Sequence, residues 1–307
     1  MLPLLLAIYA PLLGWISLGM LLARCFPHTV AQGSRWIGPF LYWVGVPLST
    51  VGFLRQTALP GEVWLAAVMA YVSYGVAWLG SALWRWWWQS RGEKLSPIQW
   101  ASFQLAAMLG NTGYLGYPIG LAVGGAEYFG WVLVFDLLGT LFGAYGLGTW
   151  VAARSSLRSP WDPWWQVGRS PAIWGFVVGV GTKGWALPPV GEQFLRGFAW
   201  GMIPLMLVLL GVRLVRIPGR YPWGLLGGAV VIRLLWVPLL VGLITLALPL
   251  APLARLMIIL QAGMPPAMAT LVLAETYHLD QDLTVATLAV GTLGILLTLP
   301  LWLWLWG

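Results

Sequence analysis

Gly110-Asn111-Thr112-Gly113-Tyr114-Leu115-Gly116-Tyr117-Pro118 lies in the middle of an apolar run, 98–125, that is long enough to cross a bilayer. Four glycines and one proline fall within Gly110–Gly120. Glycine lowers the cost of leaving the helical conformation, and proline has no N–H to give and clashes with the preceding turn. A helix interrupted here frees peptide groups that cost several kcal/mol each in hydrocarbon unless protein, water or a ligand satisfies them. A second such stretch, Gln261-Ala262-Gly263-Met264-Pro265-Pro266, lies in the run 252–275, with Pro265 placed 147 residues after Pro118. Two interrupted apolar helices in comparable positions define the fold to be explained.

The rest of the chain is of the same character. Of 307 residues, 60% are hydrophobic and 8% are charged, against roughly 25% charged in soluble domains. So few charges cannot cover a water-facing surface, so the solvent over most of the chain is the lipid bilayer. Ten apolar segments are predicted: 2–23, 36–54, 62–84, 98–125, 128–151, 171–188, 194–214, 223–247, 252–275 and 282–306. The fold class is therefore all-α, integral membrane, with ten transmembrane helices. The first segment reads as a retained helix, because Arg24 and Arg35 follow it and no basic residue precedes it, whereas a removable signal puts its positive charge first.

The net charge of +7 orients the chain in the membrane and does not point to nucleic acid. The odd-numbered connections hold Arg24, Arg35, Arg85, Arg91, Lys94, Arg154, Arg158, Arg169, Arg213, Arg216 and Arg220. The even-numbered connections hold Arg55, Lys183, Arg196 and Arg255. Lys and Arg mark the cytoplasmic side, so both termini are expected outside the cytoplasm. The single Cys25 forms no internal disulfide, and two His and one Cys do not suit a metal cage. No metal and no cofactor is expected.

The halves share landmarks. Val46-Pro47-Leu48 in segment 2 and Ile203-Pro204-Leu205 in segment 7 are offset by 157 residues, and the Pro118 and Pro265 stretches follow in the same order. Five segments is an odd number, so the second copy is inserted upside down, the inverted repeat of secondary transporters. The division is 1–153 for the first repeat, 154–170 for a cytoplasmic connection and 171–307 for the second. Two interruptions at similar depth would build a central site at the repeat interface, with half-helix N-termini that favour an anion. The candidate substrate-binding residues are Asn111, Thr112, Gly113, Pro118, Gln261, Met264, Pro265 and Pro266. The alternative is a pair of proline kinks that shape packing alone.

Asp136 in segment 5 and Arg233 in segment 8 are ionisable residues within spans, which mark pathways or partners. Three roles stand open for them: an ion pair with each other, a coupled proton on Asp136, or a purely structural pair. Glu127, Glu275, Asp280 and Asp282 sit near segment ends and read as solvated interface. Trp84, Trp86, Trp87 and Trp88, and Trp161, Trp164 and Trp165, read as interfacial belts. Cys25 and His28 read as incidental.

Asn111-Thr112-Gly113-Tyr114-Leu115-Gly116-Tyr117-Pro118 resembles the signature of the auxin efflux carrier family. The run Gln261–Ala267, with Leu273-Ala274-Glu275-Thr276-Tyr277-His278-Leu279-Asp280, resembles the matching segment near the C-terminus, and Ile203-Pro204-Leu205 through Gly211 is also similar. The resemblance implies ten helices in two inverted repeats, related to bile-acid sodium symporters. It implies a scaffold from segments 1, 2, 6 and 7, a mobile core from segments 3–5 and 8–10, helices crossing at Pro118 and Pro265, and a homodimer. It implies organic anions as substrates, with Asn111 at the carboxylate. The chain lacks the long hydrophilic loop of the plant members, which places it with the bacterial organic-acid permeases. Segment 3 has no charged residue between Glu62 and Arg85, unlike relatives of the fold that bind a cation there.

The function expected is a secondary transporter of a small organic anion, in the cell membrane, and no enzyme. A channel or uniporter-like facilitator is the alternative, although no polar stripe or charged ring of the kind a pore needs is visible. An enzyme would need a His/Asp cluster or a nucleophile motif, and the chain has neither.

Overall fold

The computed structural model describes residues 2–57, 61–155, 171–215 and 223–307, and is all-helical there, without a strand. In chain order the helices are α1 (Leu2–Cys25), α2 (Pro27–Phe40), α3 (Val46–Gln56), α4 (Trp64–Ser90), α5 (Pro97–Met108), α6 (Gly116–Val134), α7 (Thr149–Ser155), α8 (Pro171–Gly181), α9 (Pro189–Leu214), α10 (Trp223–Val231), α11 (Val237–Thr245), α12 (Pro252–Ala262), α13 (Met268–Thr276) and α14 (Gln281–Trp306). Most of the expected 154–170 connection, with Arg158, Arg169, Trp161, Trp164 and Trp165, lies outside the described residues, as do Arg216 and Arg220.

Seven helical runs among the described residues are long and apolar enough to cross a membrane: Leu5–Cys25, Trp36–Gln56, Gly61–Ser90, Gly116–Thr140, Pro189–Leu214, Trp223–Thr245 and Gln281–Trp306. The protein is thus a multi-pass membrane protein, and seven spans are counted where ten were predicted. The difference has a physical source. Segments 4 and 9 are cut: α5 has 12 residues and α12 has 11, and at about 1.5 Å per residue neither spans a ~30 Å hydrocarbon core. Segment 6 is described as a helix of only 11 residues. Near the end of segment 4, Gly125 has φ 62° and ψ −171°, a conformation that suits glycine. It bends α6 where the predicted segments 4 and 5 part.

Two widened π-turns precede prolines. Leu41–Gly45 leads into Val46-Pro47, and Ile232–Trp236 leads into Val237-Pro238. A proline ring clashes with the carbonyl four residues back, and a π-turn moves that carbonyl aside. Pro204, the expected counterpart of Pro47, instead sits inside the continuous helix α9, so those two landmarks differ in local geometry.

One compact unit comprises Met1–Pro60 and Val167–Arg216, the other Gly61–Gln166 and Ile217–Gly307. In the first, α1 and α9 meet backbone to backbone. A Cβ on Gly19 would overlap the Val208 carbonyl, and one on Gly211 would overlap the Ile16 carbonyl. Small residues permit such approach in lipid, where dispersion at close range drives association. Arg55, whose side chain is almost fully buried, pairs with Glu192 and donates to the carbonyls of Thr182 and Trp185, while Lys183 donates to Thr57 O at 2.7 Å. These two basic residues, read from sequence as topological markers, tie α3 to the α8–α9 turn. Gly211→Val is expected to force α1 from α9, costing about 1–3 kcal/mol or more. The check is the melting temperature in detergent, with Gly201→Val, where a Cβ meets nothing within 4 Å, as the neutral comparison.

In the second unit, Ser96 and Gln99 form a reciprocal cap at the start of α5, and Asp280 caps α14 through Leu283 N at 2.9 Å. Asp280 is therefore a helix cap rather than merely solvated interface. The tryptophan belt divides. Trp86 and Trp87 are exposed, whereas Trp84 stacks on Phe103 at 4.5 Å and on Trp88 at 4.6 Å. A Cβ at Gly228 or Gly224 would collide with Trp84 or Trp88, so those two indoles pack inward against α10.

Candidate functional site

The two interruptions meet. Ala267 N donates to Leu109 O at 2.8 Å and Asn111 N donates to Pro265 O at 2.7 Å, with Gly110 and Pro266 facing each other in an antiparallel bridge. At the second break the donors are paired as far as Ala267. Gly263 N bonds Ile259 O, Met264 N bonds Gln261 O and Ala267 N bonds Leu109 O, while Pro265 and Pro266 have no N–H to satisfy. The prolines remove donors where the chain has no partner for them.

The first break keeps its donors. Leu115 N and Gly116 N both bond Asn111 O, and Tyr114 N bonds Asn111 Oδ1 at 3.3 Å. The N–H groups of Thr112 and Gly113 bond nothing among the described residues. The Asn111 amide Nδ2 is buried and also without a partner there, as is Gln261 Oε1. Gln261, fully buried, donates through Nε2 to Gly116 O at 3.1 Å. Unpaired buried donors are uncommon, and the buried Asn111 amide stands next in sequence to the unbonded N–H groups of Thr112 and Gly113.

Arg233 supplies the other half of the arrangement. It lies in the π-turn before α11, is 1% exposed, and donates from Nε to Met264 O at 2.8 Å, from Nη1 to Met108 O at 3.0 Å and from Nη2 to Gln261 O at 3.4 Å. Met108 ends α5, and Gln261 and Met264 flank the end of α12. One guanidinium thus caps the carbonyl ends of both interrupted helices, where the helix dipoles are negative and a cation is favoured. Gly110 makes room for it: a Cβ there would overlap the guanidinium.

Asp136 stands in a second π-turn, Phe135–Leu141. Its carboxylate accepts from Thr112 Oγ1 and, at 2.6 Å, from the Tyr117 hydroxyl. A Cβ on Gly113 would lie 3.3 Å from Asp136 Oδ2. Asp136 and Arg233 form no ion pair with each other among the described residues. Of the roles left open for them, a direct pair is not the arrangement seen: Arg233 is taken up by helix-end carbonyls, and Asp136 by hydroxyls beside the first break.

Of the predicted site residues, Asn111, Thr112, Gly113, Gln261, Met264, Pro265, Pro266, Asp136 and Arg233 come together in the second unit. Pro118 stands apart from the break. It is the third residue of α6, between Tyr117 N and Ile119 N, which bond Gly113 O and Leu115 O, so it stands in the first turn of that helix, where proline is tolerated, rather than at the break. The backbone contact falls at Gly110 and Pro266. Sequence reading overlooked Tyr117 as a partner of Asp136, and Met108 as a carbonyl that Arg233 caps. Tyr117 stands inside the signature stretch, but its partner is 19 residues away and only the fold reveals it. Gly291 is also required, since a Cβ there would lie 2.5 Å from Pro266 Cδ. Among the described residues no group of His, Cys, Asp and Glu could hold a metal.

The sequence profile of a family described as "Membrane transport protein" matches residues 163–303. An uncharacterized transporter of Methanothermobacter thermautotrophicus is 30% identical over 229 residues, 70% of this chain and 70% of that protein. An uncharacterized transporter of Methanocaldococcus jannaschii is 27% identical over 219 residues, covering 69% of this chain and 70% of its own.

Proposed function

We propose, because this chain belongs to the membrane transport protein family of auxin efflux carriers, that it is a secondary transporter of a small organic anion. The observation that carries the reading is the set of unpaired donors at the first break: Asn111 Nδ2 and the N–H groups of Thr112 and Gly113. A carboxylate is an acceptor with two oxygens and about four lone-pair sites, and successive backbone N–H groups form a concavity suited to an anion. On this reading Gln261, Met264, Pro265 and Pro266 form the opposite wall, and Pro118 fixes the start of α6.

The ten-helix inverted repeat is part of the proposal. The two interrupted helices have matched pieces, α5 followed by 116–124 and α12 followed by α13, and each pair of pieces together has the length of a span. Unit Met1–Pro60 with Val167–Arg216 would be the scaffold and the other unit the moving core, giving alternating access. A homodimer in the cell membrane, with both termini outside the cytoplasm, completes the reading.

Asp136 gives the carrier a means of coupling. Its carboxylate lies beside Gly113, so a charge there opposes an anion bound at residues 111–113, and a proton on it removes the repulsion. The test is thermal stabilisation of the purified protein against a panel of mono- and dicarboxylates across pH, since a ligand that binds only the folded state raises its stability. A carboxylate is expected to stabilise the wild type, more strongly at lower pH, and Asp136→Asn is expected to bind with a flat pH profile. A folded protein that responds to no carboxylate overturns the organic-anion assignment. A pH dependence unchanged in Asp136→Asn overturns the coupling role alone.

A further inference from the structure

A cleft of about 510 Å³ in the second unit shares no lining residue with the first break's signature or with Asp136. It is lined by the end of α4, the start of α5 and α7, including Trp78, Arg85, Trp100, Gln104, Trp150 and Arg154. Each arginine lies on an indole. The Arg85 guanidinium is 4.8 Å from the Trp100 ring centroid, and that of Arg154 is 4.6 Å from Trp150. Neither forms an ion pair among the described residues. Stacking holds the guanidinium plane and leaves its N–H edge directed elsewhere. Gln104 lines the same cleft, is 8% exposed, and its carboxamide has no hydrogen bond among the described residues. Two unpaired forks and an idle amide therefore surround one volume with no acid in its lining, which is the chemistry of a phosphate-type anion.

The depth pattern selects the source of that anion. On α4, Trp78 precedes Arg85 by seven residues, about 10 Å along the helix. On α7, Trp150 precedes Arg154 by four, about 6 Å. Trp78 and Trp150 are 55% and 45% exposed, on helices read as lying in the bilayer. Each column thus places an apolar indole toward the segment interior and a cation at its end. A soluble phosphate uses the cations alone, whereas a phospholipid uses both, with its headgroup between the arginines and its chain along the indoles.

We propose that this cleft is a binding site for the phosphate headgroup of an anionic membrane lipid. Basic pockets between membrane helices suit such headgroups. The assignment is independent of the transported substrate.

The experiment is native mass spectrometry and thermal stabilisation of the purified protein with phosphatidylglycerol, phosphatidylcholine or inorganic phosphate. Wild type is compared with the double variant Arg85→Gln, Arg154→Gln and with Trp78→Ala. Both arginines are exposed, so the double variant is expected to melt as wild type does without lipid. Wild type is expected to retain phosphatidylglycerol over phosphatidylcholine. The double variant is expected to lose roughly thirtyfold in apparent affinity, about fivefold for each basic residue near an anionic surface. Trp78→Ala, which removes an indole that stacks on neither arginine, is expected to weaken the lipid and leave any phosphate response unaltered. Equal stabilisation by inorganic phosphate, insensitive to Trp78→Ala, overturns the lipid as occupant in favour of soluble phosphate. Binding of phosphatidylglycerol that matches phosphatidylcholine, or that survives in the double variant, overturns the site. Should the double variant not fold, Gln104→Leu and Trp150→Ala read the same loss separately.

Discussion

Arg233→Met is expected to be the most damaging single substitution in the second unit. Methionine keeps an unbranched apolar stem and removes all five donors. The carbonyls of Met108 and Met264 then lose their partner, while Gln261 O still accepts from Met264 N at 3.3 Å. Each orphaned buried acceptor costs about 1–3 kcal/mol, so the loss is about 2–6 kcal/mol, a large part of a typical folding free energy of about 5–15 kcal/mol. The measurements are the melting temperature and the size-exclusion profile in detergent. Arg233→Lys keeps the charge but replaces a planar fork with a point charge that cannot reach three carbonyls on two helices, and it is expected to recover only part of the loss. A Met variant that melts as wild type does would show that the two helix ends find other donors, and would remove Arg233 from its capping role. The same pair of variants separates capping from pairing with Asp136. If Arg233 served mainly as a counter-ion, Lys would restore stability in full and Asp136→Asn would rescue Met.

Asn111→Ala is expected to weaken substrate binding strongly and leave the fold intact. The fold uses the backbone of this residue, through Asn111 N to Pro265 O and Asn111 O to Leu115 and Gly116, and alanine keeps all three bonds. The side chain gives the fold only the weak acceptor for Tyr114 N at 3.3 Å, worth about 0.5–1.5 kcal/mol. Its donor Nδ2 has no partner among the described residues. A hydrogen bond to a charged ligand contributes about 1.5–3 kcal/mol, so affinity for a carboxylate should fall by roughly tenfold to a hundredfold or more. Asn111→Asp keeps the size and the Tyr114 acceptor and replaces the donor with a charge of the wrong sign, so it should bind more weakly still. Uptake into proteoliposomes, read beside the ligand-free melting temperature, tests this. Full uptake in both variants would place the anion elsewhere. A melting temperature that collapses in Asn111→Ala would mean that the side chain holds the break together.

The sequence by itself determined that this chain lives in a bilayer and that two of its helices are interrupted. Both follow from local facts: 8% charged residues cannot clothe a soluble surface, and Gly110–Gly120 and Pro265-Pro266 cannot continue a helix without cost. Signature stretches are contiguous, so Asn111 and Gln261 were legible as residues of the two interruptions before any contact was known. The bend at Gly125 was legible only as a gap between apolar runs. What the tertiary structure alone decided concerns partners far apart in the chain. Arg233 reaches Met108 across 125 residues, Asp136 takes the Tyr117 hydroxyl instead of Arg233, and Trp84 turns from a belt position to pack on Phe103 and Gly228. The number of spans also lay beyond reading by length, because a hydropathy window cannot see whether a run of apolar residues is one helix or two short ones. The reason is the same in each case. Hydrophobicity and backbone propensity act within a few residues and are written along the chain, whereas a buried polar group takes whichever partner the packed helices bring within about 3 Å.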